Sequence, residues 1–410
     1  MGRNHFFLLL ILFFSSINAS IAKTVESHSC NFADVQDALE LAEINDTLRI
    51  PSGTCVWQDD SLLVTKQVNI QGSGVDHTVL RRSVATSKPL IQIDCLSVNQ
   101  AFAISAIKFQ GLFNLSHADK GLALSNGCQD FRIFNNVFTG FGSVGIEVTD
   151  YSDRNPNQRG VIFKNRFVEN FRVGLGYGIS VASGGRDSSE VQFGSENFVF
   201  IEDNFFSKNR HSVASNLGAT YVLRHNIIVD NYPNYSAVDT HGQTHDELAG
   251  TKGIEVYQNK IFQNEEIAFQ HDIPGNDNPG FTGIGLRGGQ ALIYDNEISN
   301  FRFPITLLVE IVGNNPCEGL VPPLEGRQPS GVYVWNNRLI DNSGNTVTQL
   351  SLGGNYDCEH IFFLNQDYFY YRKPNYKAYD YPHPLRMEGD ILYFIPAILS
   401  STLQRLKNSK

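Results

Sequence analysis

Seven short segments of this chain repeat one phrase, an apolar run broken by asparagine. The first is Ile133-Phe134-Asn135-Asn136-Val137-Phe138, the second is Val161-Ile162-Phe163-Lys164-Asn165-Arg166-Phe167, and the rest surround Asn204, Asn226, Asn259, Asn296 and Asn337. The shared asparagine returns after 29, 39, 22, 33, 37 and 41 residues. A fixed residue inside a strand-like phrase, recurring at intervals of about one superhelical coil or more, marks a solenoid whose coils carry loops of different length. Each coil of such a stack buries its apolar face only against its neighbours. The 410 residues therefore read as one elongated domain, not the two or three that length alone suggests.

Arg3 precedes the apolar run from Phe6 to Phe14, and Ser20-Ile21-Ala22 offers small residues for cleavage. Residues 1–22 thus read as a secretory signal peptide, too short in its apolar part to span a bilayer, with no membrane anchor left after cleavage. The mature chain is expected to be secreted, periplasmic or on the cell surface. The six cysteines all lie beyond residue 22 and form no close pairs of the kind zinc sites use, so disulfides are the default. Neighbours in sequence are the expected partners: Cys30 with Cys55, Cys95 with Cys128, Cys317 with Cys358. Asn45, Asn114 and Asn234 stand in glycosylation sequons. The formal charge is −10, and cleavage removes Arg3 and no acid. An acidic chain of this kind has no general affinity for nucleic acid or an anionic membrane, and any acidic ligand must meet a local basic patch.

Phe32, Val35, Ala38, Leu39 and Ala42 fall at helical spacing on one face, predicting a short amphipathic helix. Asp46-Thr47-Leu48-Arg49-Ile50-Pro51-Ser52-Gly53-Thr54 follows as a strand closed by a turn. Short strands come next at Leu62 to Thr65, Val68 to Gln71 and Thr78 to Leu80. An open stack of coils exposes strand edges and apolar interior at its end, and an amphipathic helix across the first coil covers both. With Val68-Asn69-Ile70-Gln71-Gly72-Ser73-Gly74, this opening resembles the right-handed parallel β-helix proteins of the pectin-lyase-like class. The resemblance spans roughly residues 30–385 and implies an all-β right-handed parallel β-helix solenoid with an N-terminal capping helix. It says little about substrate. The recurring asparagines sit where the chain turns between strands and are read as a structural ladder between coils.

The domain boundaries follow: 1–22 signal peptide, 23–385 β-helix with its cap, 386–410 a C-terminal tail. Phe362 to Arg372 reads as a last aromatic-rich strand. Tyr379-Asp380-Tyr381-Pro382-His383-Pro384-Leu385-Arg386 is too rich in proline for a strand and reads as a lid over the far end, and Ile391 to Leu406 as a terminal helix interrupted at Pro396.

Of 11 histidines, five (His211, His225, His241, His245 and His271) fall in one stretch, together with Arg210, Arg224, Asp239, Asp246 and Asp272. Position within the coil matters more than number. His211 lies 7 residues past Asn204, while Asp239 and His241 lie 13 and 15 past Asn226. Both offsets fall in or near the strand after the asparagine turn, so these side chains should project from one sheet of successive coils. Arg224 and His225 immediately precede Asn226 and are expected at the adjacent sheet or the corner. Alternation in Ser236-Ala237-Val238-Asp239-Thr240-His241 puts Asp239 and His241 on one face.

Three chemistries fit this set. In a polysaccharide lyase or C5 uronate epimerase, a base removes the proton beside a uronate carboxylate while cations hold the carboxylate. His241 oriented by Asp239 would be that base, His211 and His225 its neighbours, and Arg210 and Arg224 the cations. The Asp-x-His strand resembles the Asp-Pro-His motif of β-helix alginate epimerases, with Thr240 in place of proline. In a glycoside hydrolase two acids would act, drawn from Asp239, Asp246 and Asp272, but no Asn-x-Asp or Asp-Asp signature appears. In the third reading, a noncatalytic carbohydrate-binding or surface structural module, the same groups bind sugar or form a satisfied polar network. His245, Asp246, His271, Tyr221 and Tyr235 are the expected substrate-binding residues, the tyrosines offering flat faces to sugar rings. His241-x-x-x-His245 has metal-compatible spacing but begins at a strand end, leaving any metal unknown. Asp150, Asp153, Asp272 and Asp277 are compatible with calcium, which their spacing does not demand. The expected partner is a polysaccharide, bound by a monomer.

Overall fold

The computed structural model describes residues 22–386, except 97–100, 114–117, 150–157, 173, 184–189, 233–234, 243–249, 265–281, 311–327 and 354–358. Residues 1–21 of the expected signal peptide, the expected Cys317–Cys358 pair, the Asn114 and Asn234 sequons, the four candidate calcium ligands, His245, Asp246, His271 and the expected terminal helix therefore lie outside the described residues.

Among the described residues the strands form three parallel sheets of twelve, ten and ten strands, in which every third strand pairs with the last of its kind. That pairing is a right-handed parallel β-helix of the pectin-lyase-like architecture, as the sequence resemblance implied. The first, twelve-stranded sheet holds the segment before each ladder asparagine, such as Gly160–Phe163, Val199–Glu202, Thr220–Arg224 and Gly253–Tyr257. The second sheet holds the segment just after it, such as Arg166–Val168, Phe205–Ser207 and Ile227–Val229. The third holds Val144–Thr149, Tyr177–Ala182, His211–Asn216, Ser236–Thr240, Thr282–Leu286 and Phe303–Leu307.

The corner between the first and second sheets is built the same way seven times. The residue before each ladder asparagine is left-handed: Asn135, Lys164, Asp203, His225, Gln258, Asp295 and Asn336 have φ between 53° and 57°. This bend turns the asparagine amide along the stack. Asn165 Oδ1 accepts the backbone N–H of Asn136 at 3.0 Å, while Asn165 Nδ2 donates to Ile133 O at 2.8 Å, Phe163 O at 3.0 Å and Asn204 Oδ1 at 3.1 Å. Asn204, Asn226, Asn259 and Asn296 repeat the pattern, and Asn337 ends it. The corner turns leave backbone groups that no strand can pair, and the buried amides satisfy them. A second, shorter ladder joins the second and third sheets: Asn170 Nδ2 donates to Asn209 Oδ1 at 2.8 Å, and Asn231 continues the column through Ser212 and Arg210 O. The sequence reading missed this ladder, although asparagine recurs five residues after Asn165, Asn204 and Asn226.

Inside, Phe109, Phe138, Phe167 and Phe206 stack ring on ring with centroids 4.8, 5.2 and 4.7 Å apart. The helix Phe32–Leu41 lies over the first coil, burying Val35, Ala38 and Leu39. Lys66 Nζ donates to Ala42 O at 2.6 Å, where the helix carbonyls lack partners. Disulfides join Cys30 to Cys55 and Cys95 to Cys128, two of the pairs expected between neighbours in sequence. Their chemistry is that of an oxidising compartment. Among the described residues no helix is long and apolar enough to cross a membrane.

Two expectations need correction. Within 362–372 only Tyr368–Phe369 is a strand, and Leu350, Ile361 and Phe362 close the far end of the interior. The proline-rich segment is no lid over that end. It runs back along the outside of the first sheet, from Tyr376 against Tyr294 to Arg386 over Phe163. The reason is electrostatic and is given below. For the ladder, Asn226→Ala removes both the amide donors and the acceptor from a buried corner and should lower the unfolding free energy by about 2–4 kcal/mol, read from denaturant midpoints. A loss within error would show that the ladder does not hold the coils.

Candidate active site on the third sheet

Strand pairing places the predicted residues without further assumption. Val238 pairs with Val213 on one side and Ile284 on the other, and Asp239 with Ala214 and Gly285. The valines and Ile284 face the interior, so Asp239 points outward, flanked along the stack by two of the smallest residues. A Cβ at Gly285 would collide with Ser236 Oγ. At the start of the strand His211 pairs with Tyr177, and Arg210 precedes it. His241 and Arg287 leave the ends of their strands side by side.

The resulting group is compact. Asp239 Oδ2 lies 3.7 Å from His211 Nε2 and 3.2 Å from His241 Nε2, and it accepts from Arg287 Nη2. Arg287 Nη1 donates to Glu310 Oε1 at 2.9 Å, and Glu310 Oε2 accepts the Gly242 N–H at 2.8 Å. Side-chain exposure is 3% for Asp239, 7% for Glu310, 17% for Arg287 and 27% for His241. Burial works to raise the Asp239 carboxyl, but the Arg287 guanidinium in contact with it holds it well below the usual carboxylate range. Burial likewise opposes charge on Arg287, and the two carboxylates reverse the effect.

The two histidines differ. His211 Nδ1 lies 2.5 Å from Ser236 O, which can only accept, so Nδ1 carries the proton and Nε2 the lone pair. Burial pushes this imidazole down to about 3, against the opposing pull of Asp239. It is a neutral base with Nε2 turned to the site. His241 Nε2 accepts from Arg287 Nη2 at 2.6 Å, and a guanidinium can only donate. That engages the lone pair of His241 and leaves its Nδ1 3.6 Å from Glu310 Oε2. His241, oriented as expected beside Asp239, is thus not a free base.

Beside His211 stands an aromatic box. Its ring centroid is 5.5 Å from that of Tyr177 and 5.8 Å from that of Tyr235. The Arg210 guanidinium lies 4.4 Å from the Tyr235 centroid and donates to Tyr177 Oη at 3.2 Å. Among the described residues Arg210 has no carboxylate partner, and its Nε is buried without a hydrogen bond. Burial raises the Tyr177 phenol, so it is protonated at neutral pH, Arg210 pulling the other way.

Three expected site residues lie elsewhere. Tyr221 faces inward in the apolar core, where it cannot touch a polymer. Arg224, 0% exposed, belongs to the first sheet and holds the C-terminal segment. It donates to Glu202 Oε2 at 2.7 Å, Tyr257 Oη at 2.8 Å, Tyr379 O at 2.8 Å and Asp380 O at 2.7 Å. Glu202 Oε1 in turn accepts from His383 N at 3.0 Å and Arg386 Nη1 at 2.9 Å. His225 forms the left-handed corner and stacks under Tyr381 at 3.6 Å. This charged patch is why the tail lies along the flank: a buried ion pair needs further partners to satisfy it. Sequence reasoning missed Arg287 and Glu310. Glu310 lies 14 residues past Asn296, in step with Asp239 and His241, and that offset was the available signal. Arg287 follows the long insertion after Asn264, which breaks the count. Among the described residues no group of three acidic, histidine or cysteine side chains is placed to hold a metal ion.

No family model and no curated protein matches the sequence. Solved structures of similar shape include ORF18 of Geobacillus virus E2, 11% identical over 81% of this chain with a TM-score of 0.48; this chain spans 58% of its length. An alginate lyase from Paenibacillus sp. str. FPU-7 is 12% identical, covering 82% of this chain and 98% of its own with a TM-score of 0.45. The mannuronan C-5 epimerase A-module of Azotobacter vinelandii is 12% identical, covering 85% and 95%, with a TM-score of 0.41. The fold rests on the strand pairing above, and likenesses of this degree carry no argument about activity.

Two measurements check the electrostatics. Arg224→Ala removes one of the two guanidiniums on buried Glu202 and the donor to Tyr379 O and Asp380 O and should cost about 3 kcal/mol, whereas Arg224→Lys, which keeps the charge, should recover part of it; equal losses would mean that charge contributes nothing to the clasp. The second concerns acid. His383 is buried, which pushes it down to about 4. Below pH 6.5 the unfolded chain takes up a proton that the folded chain refuses, so stability falls as pH drops from 6.5 towards 4. By pH 5 this histidine contributes a loss of about 2 kcal/mol. In urea titrations at pH 7 and pH 5, His383→Asn should reduce the acid loss by about that amount.

Proposed function

We propose that this chain is an exported β-helix that acts on an acidic polysaccharide along the outer face of the third sheet, by β-elimination or C5-epimerisation of uronate residues. The observation that carries this reading is the pairing of a guanidinium with no carboxylate partner among the described residues, Arg210, with a neutral imidazole base, His211, in a box of two tyrosines. Arg210 binds the uronate carboxylate and makes the adjacent C5–H acidic. His211 Nε2 takes that proton, giving an enolate-like intermediate. The imidazolium so formed faces Asp239 Oδ2, at 3.7 Å in the resting site, which stabilises the new charge. Tyr177 Oη, protonated and bonded to Arg210, then supplies a proton. Delivered to the departing O4 it completes elimination and leaves a C4–C5 double bond; delivered to the opposite face of C5 it completes epimerisation. Tyr235 offers a sugar-stacking face.

Hydrolysis by two carboxyls fits less well, because one of the pair must be protonated and Asp239 is held well below the usual range. The test is incubation with polymannuronate, polyguluronate and polygalacturonate. Elimination raises the ultraviolet absorbance of unsaturated uronate, and epimerisation in heavy water places deuterium at C5. Arg210→Gln and His211→Asn should each lower kcat/KM by about 10²–10³-fold with unchanged circular dichroism. Polymer binding with neither product would replace this reading with a noncatalytic carbohydrate-binding one.

A further inference from the structure

The outer face of the first sheet carries rows of rings that the C-terminal segment covers only in part. Strand register puts Glu255, Leu292 and Tyr333 in one outward row and Tyr257, Tyr294 and Trp335 in the next. Phe369, in the last strand of that sheet, continues the first row from Tyr333. Tyr376 closes over the earlier coils: its buried side chain donates to Glu255 Oε2 and lies 3.0 Å from Tyr294 Oη. At the last two coils the rings are half-buried or exposed. Tyr333 and Phe369 stack there with centroids 4.5 Å apart, and Tyr371 lies 5.8 and 5.4 Å from them at 76° and 65°. Nearly equal distances place Tyr371 beside the stacked pair and not on its end, and it is 47% exposed. The Lys373 ammonium sits 4.8 Å from the Tyr333 centroid.

We propose that Tyr333, Phe369, Tyr371 and Lys373 form a second carbohydrate site, which anchors a stretch of anionic polysaccharide on a different flank from the candidate active site. Three observations carry it. The rings offer apolar surface that is partly open to water and suits the C–H face of a sugar ring. Residues 368–379 hold three cations, Arg372, Lys373 and Lys377, and no acid, in a chain whose formal charge is −10. Arg372 donates to Tyr376 O at 2.8 Å and Lys373 lies over the rings of Tyr333 and Phe193, so among the described residues neither is neutralised by a carboxylate. A cation held at a ring and free of acids is placed to meet the carboxylate of a sugar stacked beside it. Three cations on an acidic chain suit a polymer with spaced carboxylates better than the dense charge of nucleic acid. The inference rests on the proposed function for the class of polymer alone, because binding here needs no turnover at His211.

The experiment is affinity electrophoresis of the full chain in gels containing polymannuronate, polyguluronate or polygalacturonate, with dextran as the uncharged control. Wild type and Arg210→Gln, which removes the guanidinium of the candidate active site, should both be retarded by at least one uronate polymer and not by dextran. In the Arg210→Gln background, Tyr371→Ala and Lys373→Gln should each raise the apparent Kd by about three- to tenfold, while Tyr371→Phe and Lys373→Arg stay near their parent. In an otherwise wild-type chain, Tyr371→Ala should leave kcat/KM on short uronate oligomers unchanged. The proposal is overturned if Arg210→Gln migrates freely in every uronate gel, if the folded variants at Tyr371 and Lys373 are retarded as strongly as their parent, or if dextran retards the chain as strongly as the uronates do. Lys373→Gln decides the matter should Tyr371→Ala fail to fold. Retardation lost in the Tyr371 and Lys373 variants, with no unsaturated or deuterated product from wild type, would support this site and overturn the proposed activity.

Discussion

From Asn136 to Asn337 the coils of this protein are tied one to the next at a corner that no strand can serve. A sheet supplies its own hydrogen bonds, but the left-handed bend before each ladder asparagine turns backbone groups into the stack axis, and only a side chain carrying both a donor and an acceptor can satisfy them repeatedly. Asparagine does so from Asn136 to Asn337. Everything functional depends on that register. The alignment of Ala214, Asp239 and Gly285 follows from corners that repeat identically while loops between them range widely in length.

The two flanks carry buried charge for different ends. On the first sheet Arg224, Glu202 and Arg386 form a clasp in which Arg224 meets a carboxylate, a phenol and two carbonyls, and the C-terminal segment supplies the carbonyls and a second guanidinium. On the third sheet Arg287 satisfies Asp239 and Glu310, yet among the described residues Arg210 beside it has no carboxylate partner and His211 keeps an imidazole lone pair without a donor. A fully paired network rigidifies, whereas one with unspent donors and acceptors at a surface can receive a ligand. That difference, not the number of charged residues, separates clasp from candidate site.

Much of this was legible in the residues. The asparagine phrase predicted the coils, helical spacing at Phe32 to Ala42 predicted the cap, and cysteine order predicted both described disulfides. Offsets from the ladder also put His211, Asp239 and His241 on one sheet. Where the reading failed, the failures have physical causes. Tyr221 and Arg224 are close in sequence to site residues, but alternation sends one into the core and the other to the opposite flank. The proline-rich tail looked like an end cap because nothing local reveals that Arg224 and Glu202, more than 150 residues earlier, need its carbonyls and its amide.

The sequence by itself determined the architecture, since periodicity is a local property that every coil restates: which residues turn, which face inward, and which share a sheet. Tertiary structure alone decided the chemistry of the shared face. Protonation and pairing depend on what stands within about 4 Å across coils, so only the folded stack could make His211 the open base, close the lone pair of His241 with Arg287, and leave Arg210 without a counterion among the described residues.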